Sequence, residues 1–230
     1  MSQLYCAIDT PDLVTAARLA ETLADTVDGL KLGLEFFTAC GPAGVATLAG
    51  SGLPVFLDLK LHDIPNTVAG AVRSLLTLRP AILTVHAGGG TAMHEAAMEA
   101  AAEAGEGRPR IVGVTVLTSL DDDDLGRMGW AQGTGETVAT LAREAEAGGL
   151  DGIVCSPREA AAMRAAFGPD FDLVVPGIRP DWAAKGDQKR VTTPAEAVAA
   201  GADVLVIGRP ITGADDPAAA ARRIAQEIVA

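Results

Sequence analysis

The sequence is poor in the features that commit a chain to a membrane, an oxidising compartment or nucleic acid. Among its 230 residues no apolar run approaches the roughly 18 needed to span a bilayer. Met1-Ser2-Gln3-Leu4-Tyr5-Cys6 lacks a basic leader and a cleavage signal and enters a strand-like run at once, so no signal peptide is expected. Cysteine is scarce. Cys6, Cys40 and Cys155 are widely spaced, flanked by apolar residues and form no CxxC pair. They read as buried free thiols in a reducing cytoplasm. Cations are outnumbered, 18 Lys and Arg against 30 Asp and Glu, for a net charge of −12. That balance argues against a nucleic-acid surface, which needs a basic patch. It leaves room for a small anionic ligand, because a local group of cations can act against the global field. Arg179, Lys185, Lys189, Arg190 and Arg209 are candidates for such a group.

What the chain has is an alternation of short apolar runs with longer Ala- and Leu-rich stretches. The runs predict strands at 3–8, 27–32, 54–60, 81–86, 110–117, 151–155, 172–175 and 203–207. Helical patterns fall near 11–24, 34–49, 66–78, 90–104, 134–147, 157–166, 194–200 and 215–229. Thr10-Pro11-Asp12, Ser156-Pro157 and Thr193-Pro194 each place a hydroxyl before a proline, a helix-start signal. Eight strand–helix units of roughly 29 residues fit a single-domain (β/α)8 TIM barrel spanning residues 1–230. The alternative is an open doubly wound sheet. It calls for a glycine fingerprint at the first β–α turn, where Ile8-Asp9-Thr10-Pro11 stands instead.

Barrel enzymes carry their chemistry at the C-terminal ends of strands. Here those ends present Asp9, Lys31, Asp58 with Lys60, His86, Thr118, Arg179 and Gly208-Arg209. On a regular strand Asp58 and Lys60 share one face, and Leu57, Leu59 and Leu61 the other. Asp9, Lys31, Asp58, Lys60 and Asp63 would bring alternating charges together, an array that persists in a poorly hydrated site only when each charge has a partner. A lysine among carboxylates is favoured as the ammonium. Lys60 therefore reads as a poised acid rather than a Schiff-base nucleophile. Gly208-Arg209 follows the eighth strand, where barrels often bind phosphate. The polar segment 177–192 reads as a lid carrying Arg179, Gln188, Lys189 and Arg190.

Other residues receive plainer readings. His86 shares an inward alternation with Ile82 and Thr84 and reads as hydrogen-bonded and structural. His62 is given no chemistry, and His94 reads as a surface helix residue. No two of these histidines have metal-ligand spacing. Gly88-Gly89-Gly90 reads as a helix-entry turn, and Asp121 to Asp124 as a solvated loop or helix start. Trp130 and Trp182 fall in loops, with Trp182 a candidate to seal the lid or simply to pack.

Asp58 to Val68 reads DLKLHDIPNTV. With Val114 to Ser119, Pro176-Gly177-Ile178-Arg179-Pro180, Asp187-Gln188-Lys189-Arg190 and Ile207-Gly208-Arg209-Pro210, it resembles the bacterial-type orotidine 5′-phosphate decarboxylases, in collinear order over essentially the whole chain. DxKxxD alone marks a wider superfamily; the longer form with the lid and phosphate motifs is more specific. The resemblance implies decarboxylation of orotidine 5′-phosphate to UMP and CO2, with no cofactor and no metal. It implies Lys60 as proton donor to C6, Asp58 beside the departing carboxylate, and Lys31 bridging Asp58 and the ribose. It further implies Asp9 at the ribose, Thr118 at the pyrimidine, and Arg179, Gln188, Gly208 and Arg209 at the phosphate and lid. Asp63 and Thr67 would serve the other subunit of a homodimer. A rival is a Mg²⁺-dependent β-keto sugar phosphate decarboxylase of the same superfamily, which would carry a glutamate where Lys31 stands. A second rival is a non-catalytic nucleotide-binding barrel, which could dispense with Asp58 or Lys60.

Overall fold

The computed structural model describes residues 2–183 and 192–229. Eight parallel strands run β1 Gln3–Ala7, β2 Gly29–Gly33, β3 Val55–Leu61, β4 Ile82–His86, β5 Arg110–Val114, β6 Gly152–Val154, β7 Asp172–Pro176 and β8 Val204–Ile207. Each pairs with the next and β8 pairs with β1, closing a barrel. The helices are α1 Leu13–Leu23, α2 Leu34–Ala49, α3 Pro65–Leu76, α4 Thr91–Ala102, α5 Asp122–Arg127, α6 Thr134–Ala147, α7 Pro157–Phe167, α8 Pro194–Ala199, α9 Arg209–Thr212 and α10 Pro217–Val229. No helix among the described residues is long and apolar enough to cross a membrane.

Strand alternation sorts the core into two layers. Leu4, Cys6, Leu30, Leu32, Leu57, Leu83 and Val85 face the helices. Tyr5, Ala7, Phe56, Ile82, Val112, Val174, Val204 and Val206 fill the barrel interior. The same parity turns Lys31, Asp58 and Thr84 inward, so the strand pattern itself delivers polar groups to the barrel axis.

The foot of the barrel is tied by a recurring device. Asp28, Asp151 and Asp203 each stand one residue before an even-numbered strand. Each carboxylate accepts the backbone N–H of the strand before it, from Leu4, Ile111 and Leu173, at 2.7 Å in every case. Arg108 adds a two-pronged bond to Asp151 at 2.7 and 2.8 Å.

Several expectations are corrected. The predicted fifth strand, 110–117, stops at Val114, because its neighbour β6 offers only three residues to pair with. Asp12, not Thr10, caps α1, its carboxylate accepting from the N–H groups of Val14 and Thr15. Ser156 and Thr193 cap α7 and α8 as the sequence suggests, each within a capping box closed by Glu159 or Glu196. His94 is fully buried, its ring nitrogens 3.2 and 3.4 Å from the carbonyls of Glu144 and His86. Cys40 is half-buried, whereas Cys6 and Cys155 are buried. Gly88 falls in a short 3-10 turn, Ala87–Gly89, that leads into α4, and Asp121 caps α5. Trp182 packs on α10, donating to Glu227 at 2.8 Å with the Arg223 guanidinium over its ring.

Candidate active site

The mouth at the C-terminal ends of the strands holds two ion pairs. Lys31, at the middle of β2 rather than at the strand end expected from the sequence, reaches Asp9, two residues past β1, with Nζ 2.8 Å from Oδ1. Lys31 is only 9% exposed, so its charge lies in the wall rather than in solvent. A Cβ on Gly33 would come within 3.1 Å of the Lys31 ammonium, so the absent side chain leaves it room. On β3, Lys60 Nζ lies 2.7 Å from Asp58 Oδ1. Each ammonium thus has a carboxylate partner, as a charge held out of solvent requires; Asp9 is exposed, whereas Lys31, Asp58 and Lys60 are held in the cavity wall.

Lys60 arrives there by an irregular route. Its φ is +52°, in the left-handed region, where a non-glycine residue costs about 1–2 kcal/mol. β3 advances four residues, Leu57 to Leu61, while β4 advances two, Leu83 to Val85. The bulge falls at the strand end that carries Asp58 and Lys60, beside the mouth cavity, a usual place for one. Asp58 and Lys60 do share a face, as expected, but through a break in the regular strand. Thr84, buried on β4 within that span, accepts the Lys60 N–H at 2.8 Å and donates its hydroxyl to Asp58 Oδ1 at 3.2 Å. Sequence parity placed Thr84 inward without giving it a role; its partners depend on a register shift that one strand's pattern does not encode.

Lys31, Asp58, Lys60 and Thr118 line one cavity of about 220 Å³, with Phe56, Val116 and Leu117 among its apolar walls. Thr118 reaches it from the loop beyond β5 rather than from the strand end. Cys155 also lines it, but burial pushes its thiol, like that of Cys6, up to about 12, so neither is a thiolate nucleophile near neutral pH. Gly208 follows β8, and a Cβ there would lie 3.8 Å from Asp9 Oδ2, which puts the α9 entrance beside the first ion pair. Arg209 begins α9, and Arg179 is buried beyond β7 with its backbone N–H bonded to the Thr192 carbonyl. Gln188, Lys185, Lys189 and Arg190 lie outside the described residues.

Asp63 and Thr67 do not join this cluster. Residues 62–67 are exposed, Ile64 by 67%. The Asp63 carboxylate accepts the Ile64 N–H at 2.7 Å and, among the described residues, forms no ion pair. His62 and His86 stack, ring centroids 4.9 Å apart. Burial, then the charges of His62, Lys60 and His94, hold His86 below its usual imidazole range. Among the described residues no three His, Cys, Asp or Glu side chains converge as metal ligands.

A closed parallel barrel with paired lysines and carboxylates at its C-terminal mouth defines a (β/α)8-barrel enzyme. The chain belongs to the orotidine 5′-phosphate decarboxylase / HUMPS family, whose model matches residues 2–224. It is 59% identical to the orotidine 5′-phosphate decarboxylase of Rhodospirillum rubrum, over 98% of this chain and 94% of that one. It is 55% identical to the enzyme of that name from Paramagnetospirillum magneticum, over 99% of each. The crystal structure of orotidine 5′-phosphate decarboxylase from Lactobacillus acidophilus superposes with a TM-score of 0.87 at 35% identity, covering 100% of both chains.

Proposed function

We propose that the protein decarboxylates orotidine 5′-phosphate to UMP and CO2, the last step of de novo UMP synthesis, and does so without a cofactor. The observation that carries this reading is the Asp58–Lys60 pair, 2.7 Å apart and lining the mouth cavity. The named relatives, at 55–59% identity over nearly the whole chain, support it.

Loss of CO2 breaks the bond between C6 and the carboxylate carbon and leaves the electron pair on C6. That pair occupies an sp² orbital in the ring plane, where the ring π system does not delocalise it. Stabilisation must act through space, from a fixed positive charge at the place where negative charge develops. The Lys60 ammonium supplies that charge and then transfers one N–H proton to C6; the resulting amine regains a proton from solvent. Asp58 stands beside the departing carboxylate and fixes Lys60. Lys31 bridges Asp58 and the ribose, and Asp9 binds the ribose; their 2.8 Å contact supports a shared role. Thr118 meets the pyrimidine. Arg179, Gln188, Gly208 and Arg209 hold the phosphate and close the lid, so that binding far from C6 is expressed in the transition state. The closeness of Gly208 to Asp9 supports adjacent phosphate and ribose positions. Asp63 and Thr67 enter the neighbouring site of a homodimer, a reading supported by their exposure in the single chain. The free cysteines fit a cytoplasmic enzyme.

The direct test follows the loss of orotidine 5′-phosphate absorbance on adding the protein. UMP should form without added metal and in the presence of a chelator, and Lys60→Ala should lower kcat by at least about 10³-fold. No turnover, or turnover abolished by the chelator, rejects the assignment.

A further inference from the structure

We propose that Thr84 is a positioning residue that holds Lys60 and Asp58 in their reactive arrangement. The inference rests on the reading of Asp58 and Lys60 given above and extends it to a fully buried residue that does not line the mouth cavity.

Three contacts and one side chain form a closed circuit. The Lys60 N–H ends on the Thr84 hydroxyl oxygen at 2.8 Å, that hydroxyl donates to Asp58 Oδ1 at 3.2 Å, and the same Oδ1 meets the Lys60 ammonium at 2.7 Å. The covalent side chain of Lys60 completes the loop. Thr84 therefore acts on the reacting lysine from both ends. It anchors the backbone at the residue whose φ is +52°, and it orients the carboxylate that receives the ammonium.

The location makes the bond consequential. β4 spans the bulge with one residue, Thr84, between Leu83 and Val85. The bulge leaves the Lys60 N–H without its regular strand partner, and a buried N–H needs an acceptor. A hydroxyl is the smallest side-chain group that accepts from that N–H and still has a proton to give to Asp58. Valine has nearly the same shape and can do neither. With valine the N–H loses its acceptor, the left-handed backbone loses its tether, and Asp58 becomes free to rotate. The ammonium would then be misplaced relative to C6, and small misplacements of a reacting group are expressed in the chemical step more than in binding.

The experiment compares wild type with Thr84→Val, Thr84→Ala and Thr84→Ser, by steady-state kinetics with orotidine 5′-phosphate, thermal melts and crystal structures of the unliganded proteins. Thr84→Val should lower kcat by about 10²-fold while KM changes by less than about threefold. Thr84→Ser should restore kcat to within about threefold of wild type, because it keeps both bonds. Thr84→Ala stands in should Thr84→Val not fold. In the crystal structure of the hydroxyl-free variant, Lys60 should leave the left-handed region and its Nζ should move beyond about 4 Å from Asp58, the limit of an ion pair. Wild-type kcat in both hydroxyl-free variants, or a loss that serine does not restore, overturns the proposal. So does a hydroxyl-free variant in which the Lys60 φ and its contact with Asp58 are unchanged. Should wild type not turn over orotidine 5′-phosphate, the assigned reaction fails, and the crystal structures alone still decide whether Thr84 positions Lys60.

Discussion

Lys60 and His86 are neighbours in the mouth with different surroundings. The Lys60 ammonium is matched by Asp58, whereas His86 is half-buried beside His62, Lys60 and His94, and burial first of all disfavours its imidazolium form. The sign of the stability effect follows. In the folded protein His86 stays neutral over a range below its ordinary value of 6.5, where the unfolded chain already binds a proton. Acid therefore favours unfolding there: its contribution is fully present above 6.5, is lost as pH falls toward the depressed folded value, and then levels off. Urea midpoints at a pH of about 7.5 and about 5.5 should show a smaller acid loss for His86→Gln than for wild type. Equal losses in the two proteins would contradict the stated environment of His86. At this scale the sequence was legible wherever parity decides. Lys31, Asp58 and Thr84 turn inward because residues 30, 32, 57, 83 and 85 pack outward. His94 was misread because a histidine was taken for a surface residue by type: Glu95 and Glu99, four apart, mark the exposed face of α4, and His94 lies on the covered face with Met93 and Ala97.

Strands meet helices differently at the two ends of the barrel. At the mouth the strands give way to loops and bulges that aim side chains. At the foot the aspartates that precede β2, β6 and β8 tie each of those strands to its predecessor through the backbone. Asp151→Ala would leave the Ile111 N–H without its acceptor and Arg108 without its two-pronged partner. The expected loss is about 1–3 kcal/mol of stability, read from denaturant unfolding, with kcat/KM unchanged in the protein that remains folded. A fall in kcat/KM with stability intact would place Asp151 in the wrong part of the molecule. The number, order and parallel direction of the strands could be read from the alternation of runs. Strand ends could not, since they depend on the partner: Val116 and Leu117 continue an apolar run, yet the ladder stops when β6 does. The foot aspartates carried a sequence signal that went unused, an acidic residue directly before three of the apolar runs.

For the whole molecule the central expectation is a shared site. Exposed Asp63 and Thr67 lie immediately after the strand that carries Asp58 and Lys60, so one segment would serve two cavities of a dimer. Lys60→Ala and Asp63→Ala should each be nearly inactive alone. After subunit exchange, a mixed dimer has one site lacking both groups and one site with both intact. Random exchange therefore returns about a quarter of the sites to the native composition, measurable as recovered turnover of orotidine 5′-phosphate. No recovery in a sample with proven exchange would count against the shared site. The sequence pointed to such an arrangement through the family resemblance and through the place of Asp63, past the strand end with no obvious inward route to its own Lys60; periodicity says nothing of a second chain.

The foot aspartates bear on how such a protein can change over generations. Because three of its seams are fastened from side chain to main chain at the end remote from the mouth cavity, drift in the mouth loops leaves those fastenings untouched. A lineage can therefore rewrite the rim for a new anionic ligand while inheriting the frame unaltered, and the first substitutions it should refuse are at Asp28, Asp151 and Asp203.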